Sequence, residues 1–252
     1  LRQQLWENPE LMPAEDDPLR YSPIMGVFLT NADVDHTAGL INLRESQAFN
    51  LYATERVINV LNSNSIFNVL NPKFVNKVSV QLDSYLDLLN ADKSVSGIKV
   101  KAFAVPGKVA LWLEDANKGP NFGSVDEDTI ALEVCNEKTG ASFFYIPACA
   151  YVPDWLKEKL NNTNLLFFDG TLWTDDEMIA QKVGIKTGKR MGHISMSGED
   201  GSLNIFKNIK INRKIFIHIN TTNPALLDNS SERKVLEDEG WEVAYDTMEI
   251  KI

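Results

Sequence analysis

Strand-like and helix-like segments alternate along 252 residues, and this pattern predicts an α/β fold. Two further observations support that class. The composition, 44% hydrophobic and 24% charged, is that of a soluble globular protein with ample apolar surface for a core. No repeat, low-complexity tract or linker divides the chain, so residues 1–252 read as one domain.

Ile24 to Leu29 (IMGVFL) is a short apolar run that suits a buried strand, and the loop TNADVDHTAGL leaves its carboxyl end. Thr54 caps a predicted helix in which Val57, Val60 and Leu61 share a face. IKVKAFAV, residues 98–105, alternates as a half-buried strand does. The segment 117–124 (NKGPNFGS), rich in Gly, Asn and Pro, is the best candidate for a mobile loop. Thr129 to Cys135 and Ser142 to Ile146 form a hairpin around Gly140. Asp154 is expected to cap the short helix DWLKEKL, and NLLFFDG is a buried strand ending at Asp169. TDDEM has a threonine cap and acids in its first turn, a helix start. KIFIHIN, residues 214–220, is a strand with His218 near its end. SSERKVLEDEG is a charged helix stopped by Gly240, and WEVAYDTMEIKI closes the chain as a final strand.

A net charge of −10 argues against nucleic acid or an anionic membrane as partner, since either needs clustered Lys and Arg. The two cysteines, Cys135 and Cys149, form no CxxC pair, which fits a reducing cytoplasm. No apolar run approaches the ~20 residues of a membrane helix, and LRQQLWENPE is not a signal peptide. The chain begins without Met, so its true start is expected upstream.

Chemistry concentrates where predicted strands run out: at Asp33, Asp35 and His36, at Asp169, and at His218. Side chains at such ends converge on a shared crevice in α/β folds. His193, in GKRMGHISMSG, sits in a glycine-flanked loop. An EF-hand loop would need a different spacing and a closing Glu, and imidazole beside carboxylate favours a transition metal. Neither a GxSxG elbow nor a P-loop occurs. Arg190 and Lys189, in KTGKR, are candidates to hold a substrate carboxylate, against the plainer reading of a solvated loop.

The pattern D-x-D-H-x-x-G-L after an apolar strand resembles the metallo-β-lactamase superfamily, whose signature is H-x-H-x-D-H. Asn31 and Asp33 stand where that signature has its first two histidines, while Asp35 and His36 match its last two positions. GHIS around His193, IHIN around His218 and FDG around Asp169 resemble later superfamily motifs. Two further ligand positions, near Val105 or Pro106 and near Ala148 or Cys149, look lost. More narrowly, FLTNADVDHTAGLINLRES, VPGKVALWLE, RMGHISMSG and the stretch from HINTTNPALLDNSS to the end resemble the superfamily's pyrroloquinoline quinone biosynthesis branch. That resemblance implies an αβ/βα four-layer sandwich lacking its first strands. The branch normally begins with about fifty more residues, carrying a first strand, a glycine-rich turn and a cysteine cluster that looks like a structural zinc site.

Superfamily hydrolases hold two metals, and here the set built on the first histidines is degraded. Asp35, His36 and His218 remain: two imidazoles and one carboxylate, the composition of the facial triad of non-haem Fe(II) oxygenases. Zinc could use the same ligands to activate water. Asp33 is either a fourth ligand or an acceptor that orients His36. His193 binds metal, holds substrate or transfers protons. Asp169 orients a histidine or caps its turn.

The resemblance implies an iron-dependent oxygenase that hydroxylates the tyrosine ring of a cross-linked glutamate–tyrosine precursor, with dioxygen as co-substrate. Homodimer formation is left open. The alternatives are a carrier of the finished quinone and a zinc-dependent hydrolase.

Overall fold

The computed structural model describes residues 1–90, 92–119 and 121–252. Strands β1 (Gly26–Phe28), β2 (Phe49–Ala53) and β3 (Val75–Ser79) form one parallel sheet. A second sheet holds β4 (Tyr85–Leu89), β5 (Val95–Ala104), β6 (Ile130–Asn136), β7 (Ser142–Ile146), β8 (Thr163–Asp169), β9 (Ile211–Ile217) and β10 (Trp241–Val243). Its order is β10-β9-β8-β7-β6-β5-β4, parallel from β7 to β10 and antiparallel from β4 to β7. The helices are α1 (Arg2–Glu7), α2 (Val34–Thr37), α3 (Glu55–Ser63), α4 (Asp154–Leu160), α5 (Glu177–Ala180), α6 (Gly188–Met191), α7 (Ser202–Ile205) and α8 (Ser231–Asp238).

Alternation along the strands creates the layers. In β2, Phe49, Leu51 and Ala53 pack with Val57, Ile58 and Leu61 of α3, while Tyr52 points the other way. Tyr52 and Val80 there meet Val100, Ala102, Ile130 and Leu132 of the second sheet. The far face of that sheet, with Phe144, Ile146, Leu166, Phe168, Phe216 and Trp241, packs on Leu156 and Leu160 of α4 and Leu236 of α8. Helix, sheet, sheet, helix: this is the four-layer αβ/βα sandwich that the resemblance implied.

Several boundaries differ from the sequence reading. Thr54 does cap α3, its hydroxyl accepting from Val57 N at 3.3 Å. Thr174 does not cap α5; Asp176 holds that position without a side-chain bond. Asp154 lies inside α4, behind Pro153, which takes the cap position because its missing N–H costs nothing there. The closing strand is only Trp241–Val243, and the chain then turns at 245–248, where Thr247 adopts φ 70°. In the segment 117–124, Pro120 lies outside the described residues. Strands β2, β3 and β4 escaped the sequence reading because polar residues such as Asn50, Asn76 and Asp87 break their apolar runs. Among the described residues, no helix is long and apolar enough to cross a membrane.

Candidate metal centre

Both sheets end at the same place. Past β1, Thr30 and Asn31 are buried, and Asn31 bridges to Thr129 beside β6, tying the first sheet to the second. Asn31 Oδ1 accepts from Asp33 N at 3.0 Å, and Asp33 begins the single turn α2, which carries Asp35 and His36. From the other sheet, β8 delivers Asp169 and Thr171, β9 delivers His218, and the turn after α6 delivers His193. His218 has φ 55°, a left-handed conformation that few non-glycine residues adopt and that recurs at functional sites.

Asp35, His36 and His218 offer three ligand atoms, all within 4.8 Å of one another. Asp35 Oδ2 lies 2.8 Å from His218 Nε2 and 3.8 Å from His36 Nε2, and the two rings are 5.0 Å apart. Behind the rings stand two hydroxyls: Thr30 Oγ1 is 3.4 Å from His36 Nδ1, and Thr171 Oγ1 is 2.7 Å from His218 Nδ1.

A proton count settles the tautomers. Thr171 has one hydroxyl proton, and the charged Asp169 Oδ1 at 2.6 Å is the stronger acceptor for it. Its oxygen is then left to accept from His218 Nδ1–H. A neutral His218 therefore presents a lone pair at Nε2 to a carboxylate oxygen 2.8 Å away. Two acceptors at that distance need a shared cation, either a second proton on His218 or a metal ion. Two imidazole nitrogens and one carboxylate oxygen suit zinc or iron(II), so the residues fit the ion.

Asp169, His193 and His218 form a second close group. Here the carboxylate is already filled. Asp169 is fully buried; its Oδ2 accepts from Cys149 N (2.9 Å) and from His193 Nδ1 (2.7 Å), its Oδ1 from Thr171 N (3.0 Å) and Thr171 Oγ1. It sets the orientation of His193 directly and of His218 through Thr171. His193 keeps Nε2 free toward the cavity, its ring stacked on His218 with centroids 5.1 Å apart.

The charges follow from these contacts. The hydrogen bond from His218 holds the Asp35 carboxyl far below its usual range, against the opposing effect of burial. Burial alone would lower His218, but the bond to Asp35 and the charges of Asp169, Asp35 and Asp33 outweigh it and raise the imidazole above its ordinary value. His36, without a hydrogen bond to a carboxylate, is lowered by burial and by the charge of His218, which outweigh the opposing charges of Asp35 and Asp33. Burial would likewise push Asp169 up; the charge and hydrogen bond of His193 keep it low. The Cys149 thiol is pushed up by burial and by Asp169, and it donates to Tyr151 O at 3.1 Å, so it is no ligand.

Three candidates make other contacts than the sequence reading gave them. Asp33 lines the cavity but makes no hydrogen bond to His36: its carboxylate accepts from Leu111 N at 2.9 Å and faces Lys108 Nζ at 3.8 Å. Arg190 is engaged by both oxygens of Glu114 (2.8 and 2.6 Å) with its guanidinium over Phe122, and Lys189 points to solvent near Asp200. Neither lines the metal cavity. Lys108 and Lys186 do, beside Leu111, Met178, Met191 and Ile219, in a space of about 460 Å³. Thr171 and these two lysines were missed by the sequence reading. The only signal was a hydroxyl two residues after Asp169, and KTGKR offered three cations to choose among.

A family model described as a beta-lactamase superfamily domain matches residues 1–219. Coenzyme PQQ synthesis protein B of Bradyrhizobium diazoefficiens is 47% identical over 251 residues, 99% of this chain and 80% of the relative. The chain belongs to the coenzyme PQQ synthesis protein B (PqqB) family. Its Rhizobium meliloti member is 44% identical over the whole of this chain and 78% of its own length. The zinc-bound crystal structure of PqqB from Methylobacterium extorquens matches with a TM-score of 0.90 at 43% identity, covering all of this chain and 80% of that one. Unliganded yeast PDE1 shares the fold alone: TM-score 0.58, 12% identity, 88% of this chain and 67% of that one.

Proposed function

We propose that this PqqB-family chain acts in pyrroloquinoline quinone biosynthesis as an iron(II)-dependent oxygenase that hydroxylates the tyrosine ring of a cross-linked glutamate–tyrosine precursor. Asp35, His36 and His218 would hold the ion. One observation carries the reading: the two sheets bring together one carboxylate and two imidazoles, while Asn31 Oδ1 and Asp33 Oδ1 are taken by backbone N–H groups. Iron(II) in that set would supply the activation of dioxygen, for which a three-residue donor set leaves positions open.

The chain's own residues do the rest. Thr171 and Thr30 fix the rings so that both Nε2 atoms face Asp35. Leu111, Met178, Met191 and Ile219 give the substrate ring an apolar wall that excludes water. His193 holds its Nδ1 proton on Asp169, so Nε2 is the atom free to take a proton from the substrate.

A zinc hydrolase is the second reading, favoured by the zinc in the Methylobacterium structure. One experiment separates the two. Protein loaded with iron(II) without air, given the glutamate–tyrosine compound and then labelled dioxygen, should yield hydroxylated product carrying the label. Zinc-loaded protein should yield none. Equal turnover with zinc, or unchanged turnover in His218→Ala, overturns the oxygenase reading.

A further inference from the structure

We propose that Lys108 and Lys186 form a two-point carboxylate clamp in the metal cavity, which selects an aromatic substrate bearing two carboxylates. The inference rests on the reading above only in taking this cavity as the substrate site.

The lysines arrive from different segments, Lys108 from the loop after β5 and Lys186 from the loop before α6, and both line the cavity. Their side chains are 13% and 30% exposed. Lys108 Nζ stands 3.8 Å from both Glu114 Oε1 and Asp33 Oδ2, and its one hydrogen bond, 3.3 Å, goes to Val109 O. Lys186 Nζ stands 3.6 Å from Glu114 Oε2. These carboxylate distances exceed those of an N–H···O bond. Each ammonium has three donors, so both keep donors to offer a ligand in the cavity they line.

Glu114 explains why the lysines stay there unquenched. Arg190 already grips both of its oxygens, and that pair is closed off by Phe122 under the guanidinium. The neutralised carboxylate fixes the two ammoniums at longer range without consuming them. Three cations face two carboxylates around this corner, a local excess of positive charge in a chain of net charge −10. Leu111 and Met191, in the same cavity, supply the apolar surface for a ring. Lysines rather than arginines suit two carboxylates on a flexible frame, because an ammonium imposes no planar fork.

The test uses N-acetyl-γ-glutamyl-tyrosine, which carries a phenol, two carboxylates and no amine, titrated into zinc-loaded protein by calorimetry, with its dimethyl ester as the uncharged counterpart. Lys108→Gln and Lys186→Gln should each weaken diacid binding about tenfold or more. The ester should bind wild-type protein no better than the diacid binds the double variant. Equal binding of diacid and ester by the wild type, unchanged affinity in correctly folded variants, or no saturable binding of the diacid would each overturn the clamp. The ester comparison needs no variant and so survives a folding failure. Iron-dependent hydroxylation with unaltered affinity in both variants would remove the clamp and leave the oxygenase standing. Lysine-dependent binding without any iron-dependent hydroxylation would do the reverse.

Discussion

Thr171 touches no expected ligand atom of the ion, yet it governs one. Replacing it by Val keeps the shape and removes the acceptor for His218 Nδ1 and the donor to Asp169. The expected result is a 10–100-fold loss of zinc affinity and about 1–3 kcal/mol of stability, read by chelator competition and thermal unfolding. Unaltered zinc affinity would refute the role. The pH dependence has a definite sign. His218 is raised above 6.5, His36 is lowered and Asp35 is already ionised, so one proton must leave His218 before zinc binds. Zinc affinity should therefore climb as pH rises from 6.5 through the raised His218 value. The contribution of His218 to metal-free stability should move the other way, being fully present below 6.5 and lost over the same interval, while the lowered His36 works in the opposite sense below 6.5. Calorimetry in buffers of different ionisation enthalpy counts the proton, and a flat profile would contradict the assignment. Much of this site was legible, because Asp35, His36, Asp169, His193 and His218 are chemically conspicuous. The cations were not: Lys186, Lys189 and Arg190 are neighbours, but a helical turn begins among them and sends each in its own direction.

At the scale of elements, the site depends on strands ending in register. Asp169 pairs with Ile217 across β8 and β9, so the next residue of each strand enters the turn that holds the metal cavity. Gly170 is the tight point of that pairing. A Cβ there would stand 2.9 Å from Phe216 Cβ and 3.1 Å from Ile217 O. Gly170→Ala should cost about 1–3 kcal/mol in urea unfolding and weaken metal binding as Thr171 shifts; wild-type values for both would show that the strands can part at no cost. β8 and β9, which deliver Asp169 and His218, are long strands ending in apolar runs, and β1 lies in the apolar run 24–29; those runs made them legible. β2 to β4 were hidden because polar residues interrupt their apolar runs. Asn50 and Asn76, paired side chain to side chain at 3.0 Å, satisfy each other, which local propensity does not show.

Over the whole molecule, the ligands divide between the sheets: Asp35 and His36 belong to the three-stranded sheet, His218 to the seven-stranded one. A bound ion thus ties the two halves, and it should stabilise the fold by mass action, about 4 kcal/mol at a thousand times its dissociation constant. Chelation should lower the unfolding temperature by several degrees for a chain of this size, roughly 2–4 °C per kcal/mol. Asp35→Ala should abolish the difference between metal-loaded and chelated protein, and its persistence would place the ion elsewhere. The α/β class was legible from the alternation of elements, and the four-layer sandwich from the family resemblance carried by the DxDH loop and the later motifs. The meeting of Asp35, His36 and His218 was expected from the resemblance, but the arrival of Lys108 and Lys186 in the same cavity was not, since it depends on how two sheets of unequal size stack. Asp35 and His218 lie 183 positions apart. During synthesis at ~5–20 residues per second, their appearance is separated by roughly ten to forty seconds. An ion caught early by the leading pair has two anchors and exchanges freely. Only a polypeptide whose synthesis has passed His218 can keep its metal.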